Sequence, residues 1–188
     1  FNCTVSYGVG FVNLSGLPGG NHEAKVEFTS TDRHNNDADA SYKFIIFPNN
    51  SLITVLPHAD VYKVGQDVDI EVVASNSTGD ITISINGEYY ATRSPNPDIP
   101  HAISFGNLAV GNYTVTFSLA GDQNYTGFTT ATTFKVVKND VAISVSDITV
   151  PADIAVGTPV EFTANLNESV TGDVIFNING ANYTVHVS

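Results

Sequence analysis

Cys3 is the only cysteine in 188 residues, so no disulfide can close within the chain and any core must hold by packing. It reads as a small strand residue. Methionine is absent, position 1 included, and no charged-then-apolar leader opens the sequence, as expected of a processed chain or a piece of a longer one. Basic residues are scarce: Lys and Arg total 7 against 19 Asp and Glu, a formal charge of −12. That balance repels phosphate backbones and anionic headgroups, so nucleic acid is not expected as a partner. The longest apolar runs, such as Phe44-Ile45-Ile46-Phe47, fall far short of the roughly 18 residues of a membrane span. No membrane-spanning segment is expected here.

Catalytic signals are missing as well. There is no phosphate-cradling glycine loop and no Cys/His zinc spacing, and His22, His34, His58, His101 and His186 are scattered without a nucleophile context. The histidines read as surface or strand residues. The chain is not expected to be an enzyme, and no cofactor is expected.

What the sequence does contain is a repeat. Val64-Gly65-Gln66-Asp67-Val68-Asp69-Ile70-Glu71 returns as Val156-Gly157-Thr158-Pro159-Val160-Glu161-Phe162-Thr163, and Gly79-Asp80-Ile81-Thr82-Ile83-Ser84-Ile85-Asn86-Gly87 returns as Gly172-Asp173-Val174-Ile175-Phe176-Asn177-Ile178-Asn179-Gly180. Leu17-Pro18-Gly19-Gly20-Asn21 matches Leu108-Ala109-Val110-Gly111-Asn112, and Tyr42-Lys43-Phe44 resembles Phe134-Lys135-Val136. The reading is of residues 1–48 as the back half of one unit, 49–138 as a complete unit, and 139–188 as the front half of a third, with a period near 90 residues. Half a sandwich exposes its core face and sheet edges. The halves are therefore expected to be completed by the rest of a longer chain or by a neighbouring one, and either way the chain's partner is itself, head-to-tail.

Within the complete unit the apolar residues alternate. Val68, Ile70 and Val72 are separated by acidic or polar residues, as are Ile81, Ile83 and Ile85, which is the spacing of half-buried strands. Ala102-Ile103-Ser104-Phe105, Tyr113-Thr114-Val115-Thr116-Phe117 and Thr133-Phe134-Lys135-Val136-Val137 continue it between Gly, Asn, Asp and Pro turn clusters. Asn86-Gly87 and Asn179-Gly180 suit a tight hairpin turn whose two central residues need positive φ. About seven strands fit a unit, so the expected fold is all-β: tandem immunoglobulin-like β-sandwich repeats with negligible helix. Tyr89, Tyr90, Phe105, Tyr113, Phe117, Tyr125 and Phe128 are expected to pack in the core or on a sheet face.

Asn followed by any residue and then Ser or Thr occurs at Asn2, Asn13, Asn49, Asn76, Asn112, Asn124, Asn167 and Asn182, more often than composition alone supplies. These are candidate sites of N-linked glycans and point to an exported chain. Asp32, Asn36, Asp37 and Asp39 gather enough hard oxygens in one loop to be considered for calcium, although their spacing does not match the helix-loop-helix motif; the loop reads first as a solvated connection. Lys43 and Lys135 could be considered for an internal Lys–Asn cross-link, but they are expected to face outwards beside Phe44 and Phe134.

The order Val-Gly, Gly-Asp before a strand, Ile-Asn-Gly, Gly111-Asn112-Tyr113-Thr114-Val115-Thr116-Phe117 and Gly121-Asp122-Gln123-Asn124-Tyr125 resembles the bacterial-type immunoglobulin-like repeats of adhesin-like surface proteins of methanogenic archaea and bacteria. The loop Thr31–Asp39 departs from that pattern. The resemblance implies an extracellular cell-surface spacer that extends from the wall and can bind a host or neighbouring cell. The alternative is a carbohydrate- or protein-binding module using sandwich-tip loops such as Arg93-Ser94-Pro95-Asn96-Pro97-Asp98-Ile99-Pro100, whose prolines limit the entropy lost on binding.

Overall fold

The computed structural model describes residues 5–6, 8–31, 33–94, 96–144, 153–167 and 169–188. The chain divides into two compact units, Phe1–Val137 and Lys138–Ser188. The described residues form strands and turns with no helix, as the period-two patterning predicts.

The first unit contains β1 (Val5–Ser6), β2 (Val9–Gly10), β3 (Gly20–Phe28), β4 (Ala38–Ile46), β5 (Leu52–Val55), β6 (Val61–Lys63), β7 (Val68–Ser75), β8 (Ile81–Ile85), β9 (Glu88–Arg93), β10 (His101–Phe105), β11 (Gly111–Leu119) and β12 (Phe128–Val137). Residues from β5 onward build two sheets, one in the order β10-β7-β5 and one in the order β6-β12-β11-β8-β9. All pairings are antiparallel except that of β6 with β12.

The two sheets share a single apolar core, in the manner of a β-sandwich. Ile53, Val68, Ile70, Val72, Ala74, Ile103 and Phe105 come from one sheet, and Ile81, Ile83, Val115, Phe117, Leu119, Phe134 and Val136 from the other. The alternation in β7 explains its place there: Val68, Ile70, Val72 and Ala74 are fully buried, while Asp69 and Glu71 between them face water. Burying each Val, Ile or Phe contributes about 1.5–3 kcal/mol.

The turn between β8 and β9 is set by chemistry legible in the sequence. Asn86 and Gly87 have φ of 50° and 86°, conformations that Asn and Gly adopt at little cost and that match the twist of a two-residue hairpin.

The β3–β4 hairpin pairs Gly20 with Ile46 through to Phe28 with Ala38, and among the described residues no further strand extends this sheet. Its edges and most of its side chains are exposed, Val26 at 67% and Tyr42 at 72%. A lone two-stranded hairpin is marginal in water. This one is tied to the sandwich at Asn49, which forms a parallel bridge to Tyr125: its N–H donates to the Asn124 carbonyl and its own carbonyl accepts the Thr126 N–H, both at 2.8 Å.

The second unit contains β13 (Ile143–Ser144) paired with β14 (Asn165–Leu166), and β15 (Gly172–Ile178) paired with β16 (Ala181–Val187). The β15–β16 turn has φ of 52° at Asn179 and 86° at Gly180, the geometry of Asn86 and Gly87 over again. Among the described residues of this unit Val174 is the buried one, at 9% exposure.

Candidate functional site

The corner that leads into β11 holds the most elaborate side-chain cluster of the first unit. The hydroxyl of Tyr113 donates to the Ala109 carbonyl at 2.8 Å, clamping the connection between β10 and β11. Its ring stacks on Phe134, with centroids 5.3 Å apart and planes 18° from parallel. Tyr62 from β6 meets Phe134 edge-on at 5.5 Å, and His58 does so at 6.5 Å. His58 is held by a 2.7 Å hydrogen bond between its Nε2 and Thr132 Oγ1. An aromatic whose polar tip binds backbone while its ring fills an apolar gap serves packing and cornering together.

The same corner is built again in the β3–β4 hairpin, with a different residue. His22 Nε2 donates to the Pro18 carbonyl at 2.8 Å, and its ring stacks on Phe44 with centroids 5.4 Å apart. A carbonyl can only accept, so the proton sits on Nε2. Sequence reasoning grouped His22 with the scattered histidines, although aligning Gly19-Gly20-Asn21 with Val110-Gly111-Asn112 already lays His22 over Tyr113; the strand pairing then sets Phe44, not Tyr42, in the place of Phe134, two residues away from the sequence match of Tyr42-Lys43-Phe44 with Phe134-Lys135-Val136.

Each corner borders a shallow open depression with one carboxylate and one cation on its rim. Asp60 and Lys135 flank the first, of about 390 Å³, and Glu23 and Lys43 the second, of about 440 Å³. Both are open to solvent. Lys135 and Lys43 are exposed beside buried Phe134 and half-buried Phe44, so neither ε-amino group has the buried setting that an internal Lys–Asn cross-link requires.

Asp122 organises the loop between β11 and β12. Its Oδ1 accepts the N–H groups of Asn124 at 2.7 Å and Tyr125 at 2.8 Å, and its Oδ2 accepts the Thr78 hydroxyl. The Thr78 hydrogen bond foremost, then the two backbone N–H groups, favour the ionised form and hold the carboxyl below its ordinary value of 3.8. The motif Gly121-Asp122-Gln123-Asn124-Tyr125 is thus a self-bonded loop, a role its composition alone does not disclose.

The sequon asparagines Asn13, Asn49, Asn76, Asn112, Asn124, Asn167 and Asn182 are all exposed, while Asn2 lies outside the described residues. Their settings differ. Asn112 and Asn182 sit on strands β11 and β16, and Asn76 adopts a positive φ of 50°. Asn124 Oδ1 accepts the Gly19 N–H at 3.4 Å, and Asn167 Oδ1 accepts that of Ala142 at 2.7 Å. Ser51, the hydroxyl residue of the Asn49 sequon, is buried and donates to the Asn76 carbonyl at 2.7 Å.

Of the oxygens considered for calcium, Asp37 Oδ1 accepts the Ser30 N–H at 2.7 Å, Asn36 is exposed, and Asp39 pairs with Glu27 in the hairpin ladder; Asp32 lies outside the described residues. Among the described residues no three His, Cys, Asp or Glu side chains gather as a metal site, and no helix is long and apolar enough to cross a membrane. The Arg93–Pro100 loop, of which Pro95 lies outside the described residues, is fastened by Ser94 to Asp80 and by Asp98 to Ser75 and to the Ala74 carbonyl.

Tyr89 stands 69% exposed on β9, whereas Tyr90 tilts over Phe105 at 4.7 Å and donates its hydroxyl to the Ser104 carbonyl. Phe105 and Phe117 are core residues. Comparison with known protein families and with curated proteins finds no match to this chain.

Proposed function

We propose that the chain is a structural, extracellular segment of tandem immunoglobulin-like repeats whose function is reach, as in a cell-surface adhesin, stalk or filament. The supporting observation is that local geometry recurs at the spacing of the sequence repeat. The aromatic corner of Tyr113 is matched by that of His22, and the Asn86-Gly87 turn by Asn179-Gly180. The turn closed by the Gln66 N–H on the Lys63 carbonyl at 3.1 Å, with Gly65 at φ 85°, returns as Thr158 on Ala155 at 3.1 Å with Gly157 at φ 87°.

The immunoglobulin-like assignment draws support from the strand order. β5 and β6 are consecutive strands that join opposite sheets, β7 and β10 share one sheet, and β8, β11 and β12 share the other with β9 at its edge, as in the immunoglobulin arrangement. The backbone hydrogen bond of Tyr113 is also a feature of that fold. The surface setting rests on acidity, on the exposed sequons and on the resemblance to adhesin-like repeats, with N-linked glycans as the attached groups.

Single-molecule extension of the full chain tests this reading. Unfolding of the unit spanning 49–138 should release roughly 300 Å of contour in one cooperative step, at about 3.5 Å per residue. A chain that yields gradually, with no such step, is not a mechanical spacer.

A further inference from the structure

We propose that Asn112 carries the N-linked glycan of the sandwich, and that its first sugar lies in the depression on the outer face of β11 and β12. The inference rests on the reading of the sequons as glycan sites and selects among them.

Four sequons fall within residues 49–138, at Asn49, Asn76, Asn112 and Asn124. An acceptor triplet needs its Ser or Thr hydroxyl as well as its asparagine amide. At Asn49, Asn76 and Asn124 the fold has another use for that hydroxyl. Ser51 is 5% exposed and donates its hydroxyl to the Asn76 carbonyl at 2.7 Å. Thr78 donates its hydroxyl to Asp122, and Thr126 Oγ1 accepts the Ser51 N–H at 3.4 Å. These bonds tie the segment before β5, the β7–β8 turn and the β11–β12 loop to one another. The three hydroxyls are thus accounted for by the fold itself.

Asn112 is placed differently. Successive strand residues point to opposite sides, so Asn112 and Thr114 leave β11 on the face away from Tyr113 and buried Val115. Both are exposed, and among the described residues neither side chain forms a hydrogen bond. Their backbones are fixed by Asn86, whose Oδ1 accepts the Thr114 N–H at 2.8 Å and whose Nδ2 donates to the Asn112 carbonyl at 3.3 Å. The free amide and the free hydroxyl therefore project side by side from a rigid frame.

Thr133 and Lys135 stand opposite Thr114 and Asn112 in the ladder and so share their face. With Asp60 they line the depression of about 390 Å³. A carboxylate that accepts, an ammonium group that donates and hydroxyls that do either match the hydroxyls of a sugar. Because the depression is open, the rest of a glycan can run on into solvent.

The hairpin supplies an internal comparison. Its depression has Asn21 where the first has Asn112, and Glu23, Lys43 and Ile45 where the first has Thr114, Thr133 and Lys135. The seat recurs, but Glu23 in place of a hydroxyl leaves Asn21 outside any sequon.

Glycopeptide mapping of the full chain, secreted from a cell that transfers N-linked glycans, tests the inference. Asn112 should be occupied in most molecules, and Asn49, Asn76 and Asn124 several-fold less. Thr114→Ala should lose the Asn112 glycan and, compared after enzymatic deglycosylation, melt with wild type. Ser51→Ala and Thr78→Ala should melt about 4–8 °C lower and keep the Asn112 glycan. Glu23→Thr should bring a glycan to Asn21. In the glycosylated wild type, NMR contacts should run from the first sugar to Thr133 and Lys135.

A bare Asn112 beside an occupied Asn49, Asn76 or Asn124 overturns the choice of site and leaves the glycoprotein reading standing. No glycan at any sequon overturns both. An occupied Asn112 whose sugar makes no contact with Thr133 or Lys135, or an Asn21 that stays bare in Glu23→Thr, overturns the depression as the seat.

Discussion

Tyr113 and His22, 91 positions apart (113 against 22), make the same two contacts: each binds the carbonyl four residues before it at 2.8 Å, and each stacks on a phenylalanine of the next strand. An imidazole can replace a phenol here because both combine a flat ring with a donor at its tip. In the complete sandwich the ring and the hydroxyl can be separated experimentally. Tyr113→Phe keeps the stack on Phe134 and removes the hydrogen bond to Ala109, so it should cost about 1 kcal/mol of unfolding free energy in a denaturant titration. His22→Phe should leave that transition where it is.

Phe117 and Val26 fall at matching positions of similar hairpins but not in like environments, at 0% and 67% exposure. Phe117→Ala should destabilise the sandwich by about 3–5 kcal/mol, the cost of lost burial and the cavity left behind. Val26→Ala, at a position 67% exposed, should leave the denaturation midpoint within error of wild type.

Gly19 lies where backbone meets backbone: a Cβ there would sit 1.9 Å from the Gln123 carbonyl oxygen. Gly19→Ala must push the hairpin's corner away from the loop that holds Asn124. The Asn49 and Thr126 amides, which bridge the two parts, should then exchange with solvent deuterium faster. The amides of Val115 and Phe117 should keep their wild-type rates.

Asp122 ionises more readily in the fold than free in water, because the Thr78 hydroxyl and the N–H groups of Asn124 and Tyr125 all favour the charged form. A depressed folded-state value means that its contribution to stability is fully present above the ordinary value of 3.8 and is lost as the pH falls through the lower folded value. A carboxyl NMR titration should give a midpoint below 3.8 for Asp122. Asp122→Asn should lose less stability than wild type over that acid range, since it has no charge to neutralise.

Much of the first unit was legible in its residues. Alternation in β7 and β8 predicts which side chains face inwards, because successive strand residues point to opposite sides. The Asn-Gly pairs announce their turns, because few other residues take positive φ at both positions. The candidate site was less legible. His22 looked like one histidine among five until the corner placed its ring against Phe44. Asp122 looked like a turn residue, and only the fold brings Thr78 to its carboxylate from 44 positions away.

By itself, then, the sequence determined the all-β character, the inward faces of β7 and β8 and the Asn-Gly turns, all of which depend on neighbours within a few residues. Tertiary structure decided which equivalent residues are covered. Val26 and Phe117 carry the same local pattern, but burial depends on whether a second sheet stands opposite, and only Phe117 has β7 across from it.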